Sequence, residues 1–418
     1  MIQLIKTEDF NKRILIMNKY LIGILLLYSI VFVGCMNDLN PEGGWSDPIV
    51  ADNDLIVASK DGYLHQFNLE TGYYNDIWKY PRGDEGLGAI YGSTILFDDT
   101  LYGNSYSCRG NDCAGRVFAV KKSDAIPEWG NQNIPINSRL IGDIAVSEEM
   151  ILVSTGTVRD EINDSNISGL LISIDRVSGF INWEIPLDGE SWSGVYLQND
   201  IAYLGTLGGS IYAIDISKSN RFLDDPSKRI LWTYDSGRAI AGGILISGDN
   251  IIFGDFGNRI FKISNQARSE GLNFPSKSEW LFNTENWVWA TPIEDEGIIY
   301  ASTLSGDVYA IGSNNGEEKW SANLDSKIIA SPIVFDRRRG DKIQRSLAVP
   351  SADENVYVLS LFDGKELGVF ATESAVKSSP VIHNDLIYVH SVEGKLLWFS
   401  TVDMSLRGCT DLVERKPC

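Results

Sequence analysis

The fold of this chain is decided by the stretch Gly297-Ile-Ile-Tyr-Ala-Ser-Thr-Leu-Ser-Gly-Asp307-Val-Tyr-Ala-Ile-Gly-Ser-Asn-Asn-Gly316-Glu-Glu-Lys-Trp320. Two short runs rich in Ile, Val, Tyr and Ala are each followed by a turn that contains glycine. Branched and aromatic residues favour strands, and glycine supplies the positive φ that tight hairpin turns require. The stretch therefore predicts two paired strands, a second turn and a further strand that carries Trp320.

The same pattern returns along the chain. A clear copy runs from Leu55 through Asp61-Gly62 and reaches its aromatic residue at Trp78. Eight copies align by the residues that open their first strand, namely Asp47–Val50, Gly88–Ile90, Gly142–Ile144, Ser193–Val195, Ala241–Gly243, Ala290–Pro292, Ala330–Pro332 and Ser378–Pro380. Spacings of about 40 to 55 residues are typical of propeller blades. We therefore predict an all-β chain whose residues 45–418 form one eight-bladed β-propeller of four-stranded antiparallel blades.

Tryptophan falls on two positions of the repeat. The closing position holds Trp78, Trp129, Trp183, Trp232, Trp280 and Trp320, whereas the seventh copy has Gly368 there. A position just before the first strand holds Trp45, Trp192 and Trp289, and Trp398 fits neither class. Large apolar side chains that recur once per blade are expected to pack one blade against the next.

The order of strand, Asp-Gly turn, Tyr-Ala-Ile strand, Thr-Gly turn and Trp resembles the repeat of the pyrroloquinoline-quinone (PQQ) type propellers. The resemblance covers residues 45–403. It implies the fold and says little about activity, because one fold hosts many functions.

Residues 1–34 have the features of an export signal. Lys19 precedes an apolar run, Tyr20–Val33, that is shorter than the roughly 20 residues a membrane span needs. Met17 is an alternative start, because the signal is complete without the residues before it.

The end of this signal resembles a bacterial lipobox, Phe32-Val33-Gly34-Cys35. The resemblance implies that the signal is cut before Cys35, that Cys35 is diacylated, and that residues 35–44 tether the propeller to a membrane. An ordinary signal peptide or an uncleaved anchor, with an incidental Cys35, are the alternatives.

Four cysteines remain besides Cys35. Cys108 and Cys113 lie in a polar loop of the second copy, and Cys409 and Cys418 lie in the tail. An even number in an exported chain suggests disulfides, so we predict a bridge within each pair. A metal site is not expected, because no two further ligands cluster near these cysteines.

The chain is strongly acidic, with a formal net charge of −20. Residues 1–34 carry more basic than acidic side chains, so the remainder is more acidic still. This charge argues against a nucleic-acid partner and against electrostatic adhesion to anionic lipid.

Relatives of the PQQ repeat include quinone-dependent dehydrogenases, so the resemblance also raises an enzyme. Those use PQQ and calcium in a funnel, commonly under a ring of two adjacent cysteines. This chain has no Cys-Cys pair, no Gly-x-Ser-x-Gly or His-Glu-x-x-His motif and no phosphate-binding loop. We predict no catalytic, cofactor-binding or metal-binding residues and no cofactor.

The lipobox, the eight repeats and the missing cofactor residues together resemble the BamB family, lipoprotein subunits of the machinery that folds β-barrel proteins into the bacterial outer membrane. The resemblance implies a non-catalytic, lipid-anchored scaffold for protein partners of the cell envelope, in a β-barrel assembly complex or another assembly. It implies the periplasmic face of the outer membrane, or the outer face of the cytoplasmic membrane in a single-membrane organism. A PQQ-dependent or other redox enzyme, and a propeller that binds small molecules or glycans, remain as alternatives.

Overall fold

Short antiparallel strands joined by tight turns make up the computed structural model, which describes residues 44–83, 85–109, 112–130, 133–160, 165–217, 222–265, 278–339 and 342–418. The predicted signal, the lipobox with Cys35 and all of the tether but Gly44 lie outside the described residues. Residues Glu42–Cys418 group into one compact unit.

Eight sheets follow one another along the chain, and each is one blade. Blades 1 to 4 consist of β1 (Ile49–Ala51), β2 (Asp54–Ala58), β3 (Leu64–Asn68) and β4 (Tyr73–Tyr80); β5 (Ile95–Phe97), β6 (Thr100–Arg109), β7 (Asp112–Lys121) and β8 (Ile134–Ile136); β9 (Ala145–Val146), β10 (Met150–Ser154), β13 (Leu170–Asp175) and β14 (Ile181–Pro186), with a separate hairpin of β11 (Val158–Asp160) and β12 (Ser165–Ile167); and β15 (Val195–Gln198), β16 (Ile201–Gly205), β17 (Ser210–Asp215) and β18 (Ile230–Asp235). A short 3₁₀ helix, Pro226–Arg229, precedes β18.

The other four blades repeat the plan. They consist of β19 (Leu245–Ser247), β20 (Asn250–Asp255), β21 (Arg259–Ser264) and β22 (Trp280–Asn283); β23 (Ile293–Asp295), β24 (Ile298–Ser302), β25 (Asp307–Gly312) and β26 (Glu318–Asn323); β27 (Ile333–Arg339), β28 (Lys342–Pro350), β29 (Asn355–Ser360) and β30 (Glu366–Ala371); and β31 (Val381–His383), β32 (Leu386–His390), β33 (Lys395–Ser400), β34 (Leu406–Asp411) and β35 (Lys416–Pro417). The predicted eight-bladed, antiparallel fold is confirmed.

The expected strand openings hold for seven copies, and the second is wrong. The blade-2 first strand is β5, Ile95–Phe97, several residues after the Gly88–Ile90 opening assigned from the sequence. Ala89 instead makes an isolated bridge to Tyr106 on the long strand β6, so this segment lies beside the blade.

The hydrophobic core lies between the blades, in clusters that each join two neighbouring sheets. One cluster, for example, combines Leu204 and Ile214 of blade 4 with Leu171 and Trp183 of blade 3. Another joins blade 8 to blade 1 through Phe67 and Tyr388, which closes the ring. The inner strands thus bury both faces, as in β10, where every residue is buried and most are apolar.

The closing tryptophans fasten each blade to the next, as their recurrence predicts. Besides filling the interface, several donate their indole N–H to a carbonyl in the next blade's turn between third and fourth strands: Trp78 to Lys122 at 2.7 Å, Trp129 to Arg176 at 3.1 Å, Trp280 to Ser313 at 2.9 Å and Trp320 to Leu361 at 2.9 Å. A satisfied donor lets the large ring sit in an apolar interface without a desolvation cost.

The two exceptions in the tryptophan pattern have a packing explanation. A Cβ on Gly368 would lie 2.6 Å from the Met404 methyl group, so Met404 of blade 8 fills the space above that position. In blade 8, Gly408 stands opposite Trp398, and a Cβ there would lie 2.1 Å from the Trp398 ring. Trp398 is therefore the same wedge, carried by the neighbouring strand.

The C-terminal tail completes blade 8. Strand β34 of this tail pairs with β33, and a short fifth strand, β35, pairs with β34. The blade therefore draws its described strands from one end of the chain, and the ring is held by packing and hydrogen bonds between blades 8 and 1.

The up-and-down order of strands gives the ring two distinct ends. The connections between blades and the hairpins between second and third strands lie at one end, which we call the loop face. The turns between first and second strands and between third and fourth strands lie at the other, which we call the turn face. First strands of neighbouring blades contact one another, β5 with β9 and β31 with β1, so they line the axial channel.

Candidate functional site

The loop face is built by a hydrogen bond that recurs between connection and hairpin. The backbone N–H of Leu207 donates to the carbonyl of Glu190 at 2.7 Å, and Leu304 donates to Trp287 at 2.9 Å in the same way. Each bond holds the connection that leads into a blade against the hairpin of that same blade, and so fixes the side chains around the channel mouth.

Aromatic side chains gather at this mouth. Four of them occupy the same position of the repeat, shortly before the first strand of their blades: Trp45, Tyr91, Trp192 and Trp289. Trp45 and Tyr91 meet edge to face with ring centroids 4.4 Å apart, and Trp192 and Trp289 lie 5.8 Å apart. The three tryptophans are only partly buried, so the mouth presents aromatic surface to solvent.

The long hairpin of blade 2 rises beside these aromatics. Strands β6 and β7 pair along their whole length, and the disulfide Cys108–Cys113 joins them near the tip, where the two Cα atoms are 4.1 Å apart. The base of the hairpin is braced by the hydroxyl of Ser105, which donates to the Leu87 carbonyl at 2.9 Å. The loop face therefore carries a long hairpin that is held in place by a disulfide and a hydrogen bond.

Below the mouth, a belt of polar residues opens the first strands of most blades. Equivalent positions hold Asp47, Ser93, Asp143, Gly194, Gly243, Thr291, Ser331 and Ser379. The Ser93 backbone N–H donates to Asp143 Oδ1 at 2.6 Å, and the Ser379 N–H donates to Asp47 Oδ1 at 2.6 Å. The Ser331 N–H donates to the Ser379 hydroxyl at 3.1 Å. Each bond crosses from one blade to the next, so the belt ties the ring around its axis.

The two carboxyl groups of the belt, Asp47 and Asp143, both have raised pKa values. Both lie deep in the ring while keeping part of their surface open to the channel. Burial, and then repulsion from Asp143, raises the pKa of Asp47 to about 7, and burial raises the pKa of Asp143. Among the described residues neither forms a salt bridge, so no neighbouring cation opposes these shifts.

A cavity of about 260 Å³ adjoins the belt on one side. Asp143, Ser93 and Tyr196 supply its polar atoms, and the rest of its wall is apolar, formed by Ile95, Ile144, Ala145, Val146, Val195 and Leu197. Burial, followed by the charge of Asp143, raises the pKa of the Tyr196 phenol, which therefore stays neutral. The cavity can take a small, largely apolar group with one polar end.

Blade 1 holds a hydrogen-bonded row that resembles a nucleophile and its base. Ser59 Oγ lies 2.7 Å from His65 Nε2, and His65 Nδ1 lies 2.6 Å from the Tyr74 hydroxyl. Ser59 and His65 are fully buried, and burial lowers the pKa of His65. Thr206 occupies the Ser59 position in blade 4 with the same backbone bond across its hairpin. The row is therefore a turn-stabilising element that a substrate cannot reach.

Two comparisons of the sequence with known proteins match proteins described as BamB. A family model described as "Outer membrane protein assembly factor BamB" matches residues 221–403. Curated proteins of that name are similar in sequence: that of Pseudomonas aeruginosa is 24% identical over 213 residues, and that of Yersinia pestis 21% over 246 residues. The chain is a BamB-like PQQ-repeat propeller.

The extent of each likeness differs. The match to the Pseudomonas BamB covers 49% of this chain and 50% of the relative, and the Yersinia match covers 56% and 57%. The chain thus spans only about half the length of these two relatives, whereas the Salmonella typhimurium BamB, 21% identical, is matched over 85% of this chain and 74% of its own length.

Solved structures support the fold alone. The crystal structure of BamB from Moraxella catarrhalis aligns with a TM-score of 0.60 at 16% identity, covering 84% of this chain and 93% of that one. A computationally designed protein, Ika8, aligns with a TM-score of 0.64 at 12% identity, covering 86% and 96%.

The residues singled out in the sequence have different outcomes. Cys35 lies outside the described residues, so its lipidation stays a prediction. In the structure both expected cysteine pairs are bonded, Cys108 with Cys113 and Cys409 with Cys418. Reasoning from sequence missed the belt, although Asp47 and Asp143 both stand just before a first strand; the signal was there, but only the ring closure shows that they share one axis.

The described residues include no group of three or more His, Cys, Asp or Glu side chains placed to hold a metal ion. No helix in the described part of the chain is long and apolar enough to cross a membrane.

Proposed function

We propose that this BamB-like propeller is a non-catalytic, lipid-anchored scaffold that binds protein partners in the assembly of outer-membrane proteins. The observation that carries the proposal is the match of residues 221–403 to the assembly-factor family, on a ring of the same fold. Anchoring through Cys35 on the periplasmic face of the outer membrane is part of the proposal. In a single-membrane organism the same anchor would hold it outside the cytoplasmic membrane.

The geometry supports a scaffold in two ways. Interblade clusters and the channel belt make a rigid ring. Little conformational entropy is therefore lost when a partner binds the surface of the propeller. The loops of the loop face and the outer edges of the blades then present backbone and side-chain groups to a partner. An exposed sheet edge binds an extended segment by adding it as a further strand.

A pull-down of the full-length lipoprotein, solubilised in mild detergent from its own membranes, tests the proposal. We expect an outer-membrane β-barrel protein with periplasmic domains to be recovered with it. A Cys35→Ser variant, exported but not acylated, controls for contacts that depend only on sharing a membrane. Failure to recover any stable envelope partner in both cross-linked and native samples would refute the scaffold function.

A second function is favoured by one observation, the aromatic mouth of the channel. Trp192, Trp289 and Trp45 offer ring faces of the kind that stack on sugars and other flat apolar groups. Quenching or shift of tryptophan fluorescence on titration with envelope glycans would support such binding. No change, in protein that still binds its protein partner, would discard it.

The residues of the channel fit PQQ poorly. PQQ is a polyanion, and the belt would present to it two carboxyl groups, Asp47 and Asp143, that already repel each other. Arg139, a candidate counter-charge near the mouth, is engaged by Glu190 at 3.0 Å. We therefore derive no redox step for this protein.

A further inference from the structure

The cavity beside the channel belt is formed by three blades. The first strands β5, β9 and β15 of blades 2, 3 and 4 lie against one another there, and each contributes an apolar side chain to the wall: Ile95, Val146 and Leu197. The volume of about 260 Å³ is below the roughly 300–1,000 Å³ of sites for drug-sized ligands. The cavity therefore has room for a small ligand, and most of its wall favours an apolar one.

Two glycines of the belt make space for the polar end of this cavity. Blades 4 and 5 have Gly194 and Gly243 where the other six blades have Asp, Ser or Thr. A Cβ on Gly194 would lie 2.6 Å from the backbone nitrogen of Asp143, and a Cβ on Gly243 would collide with the Tyr196 hydroxyl. The missing side chains thus let Asp143 and Tyr196 occupy the belt at the point where both line the cavity.

The carboxyl group of Asp143 has no cation beside it in the described chain. Its hydrogen bonds there come from Ser93, whose backbone N–H donates at 2.6 Å. The titratable groups of neighbouring blades that interact with it are Asp47 and Tyr196, and neither supplies a positive charge. Folding has already withdrawn Asp143 from much of the bulk water, so a bound cation gains charge attraction without that desolvation cost.

The polar groups of the cavity match one kind of cation. Asp143 offers a carboxylate, and Ser93 and Tyr196 offer hydroxyl oxygens. A primary ammonium carries three N–H donors and no acceptor, so a carboxylate with adjoining hydroxyl oxygens complements it. Calcium and magnesium prefer six or more oxygen ligands, which a wall made mostly of apolar side chains does not offer.

We propose that this cavity binds a small primary ammonium compound with a short alkyl body, its ammonium group on the Asp143 carboxylate and its alkyl chain against Ile95, Val146 and Leu197. The ligand enters from the axial channel, to which the belt is open. This inference does not rest on the scaffold function, so recovery of protein partners and binding of the amine are tested separately.

A matched series of ligands tests the chemistry. The probe is n-pentylammonium, titrated against the full-length protein in mild detergent and followed by ligand-observed NMR, with a detergent-only blank. For so few atoms we expect a Kd of roughly 1 mM. Pentan-1-ol keeps the alkyl body and methylammonium keeps the charge, and each should bind about tenfold or more weakly. No binding of n-pentylammonium above the blank would overturn the site, and equal binding of either analogue would overturn the ligand class.

Variants test the location. Asp143→Asn should weaken n-pentylammonium about tenfold or more, because the amide keeps the acceptor for Ser93 and removes the charge. Leu197→Phe should weaken it by filling the cavity. Asp47→Asn is the matched control, since this carboxyl belongs to the belt but does not line the cavity, and it should change affinity less than about threefold. Unchanged affinity in Asp143→Asn, or an equal loss in Asp47→Asn, would overturn the assignment to this cavity.

The pH dependence gives an independent readout. Burial raises the pKa of Asp143, so this carboxyl is neutral in acid and ionises as the pH rises through its folded pKa, whereas an alkylamine stays protonated to about pH 10. Wild-type protein should therefore bind n-pentylammonium several-fold more tightly at pH about 8 than at pH about 5, and Asp143→Asn should lose most of this difference. A pH dependence that is absent in wild type, or retained in full by the variant, would overturn the role of Asp143.

Discussion

Asparagine in place of Asp47 is expected to stabilise the propeller at neutral and alkaline pH and to have little effect in mild acid. Asp47 Oδ1 accepts the Ser379 N–H at 2.6 Å and so joins blade 8 to blade 1. An amide keeps this acceptor oxygen and never ionises. Asp47→Asn therefore keeps the bond and removes both the cost of a buried charge and its repulsion by Asp143.

The sign and size follow from the pKa of Asp47, which is raised from 3.8 to about 7 in the folded protein. The native state then holds this proton more tightly than the unfolded chain does. The stability from this group is complete below about pH 4 and is lost as the pH rises to about 7. A shift of about 3 pKa units corresponds to about 4 kcal/mol. Contact with water in the channel reduces the expected gain to about 1–4 kcal/mol.

Apparent unfolding temperatures at one scan rate, at pH about 4 and about 8, check this prediction. We expect the variant to match wild type in acid and to melt a few degrees higher at the alkaline point. Asp363→Asn is the chemical control. A hydrogen bond from Lys365 lowers the pKa of that partly exposed carboxyl, so its removal brings no alkaline gain. An Asp47→Asn protein that melts lower than wild type at alkaline pH, or gains equally at both, would refute the reasoning.

Three further predictions concern packing, the tail and the anchor. Trp320→Ala should destabilise the ring by about 3–5 kcal/mol in denaturant unfolding, because it leaves a cavity in a buried interface and removes the donor to the Leu361 carbonyl. A loss no greater than that caused by Trp289→Ala, at a part-exposed position, would contradict this. Cys409→Ser should cost about 2–3 kcal/mol and speed hydrogen exchange at β34 without changing blade 4, since β35 loses its covalent tie; unchanged exchange at β34 would show that the pairing alone suffices. Cys35→Ser should move the protein from membrane to soluble fractions, and intact mass should show the loss of acyl chains; continued membrane retention would argue for an uncleaved anchor.

Local patterns explain why so much of the fold could be predicted. A strand and its hairpin partner are set by residues close in sequence, through branched side chains and glycine turns. The two paired strands predicted within Gly297–Trp320 are accordingly present as β24 and β25. The repeat also indicated that Trp320 and its equivalents pack between blades. The error in blade 2 arose because Gly88–Ile90 has the composition of a strand opening, whereas the extended β6 captured Ala89 in a bridge.

The sequence by itself determined the fold class, the number of blades, the cysteine pairs and the positions of the aromatic residues, because each depends on a short pattern repeated in register. Only the tertiary structure decided which side chains meet. Asp47 and Asp143 belong to different blades, and they repel each other because the closed ring turns both first strands toward one axis. Exposure of Phe180 and burial of Trp183, three residues apart on one blade, depend equally on where the neighbouring blade packs. Burial, and with it the raised pKa values of Asp47 and Asp143, is a property of the assembled ring.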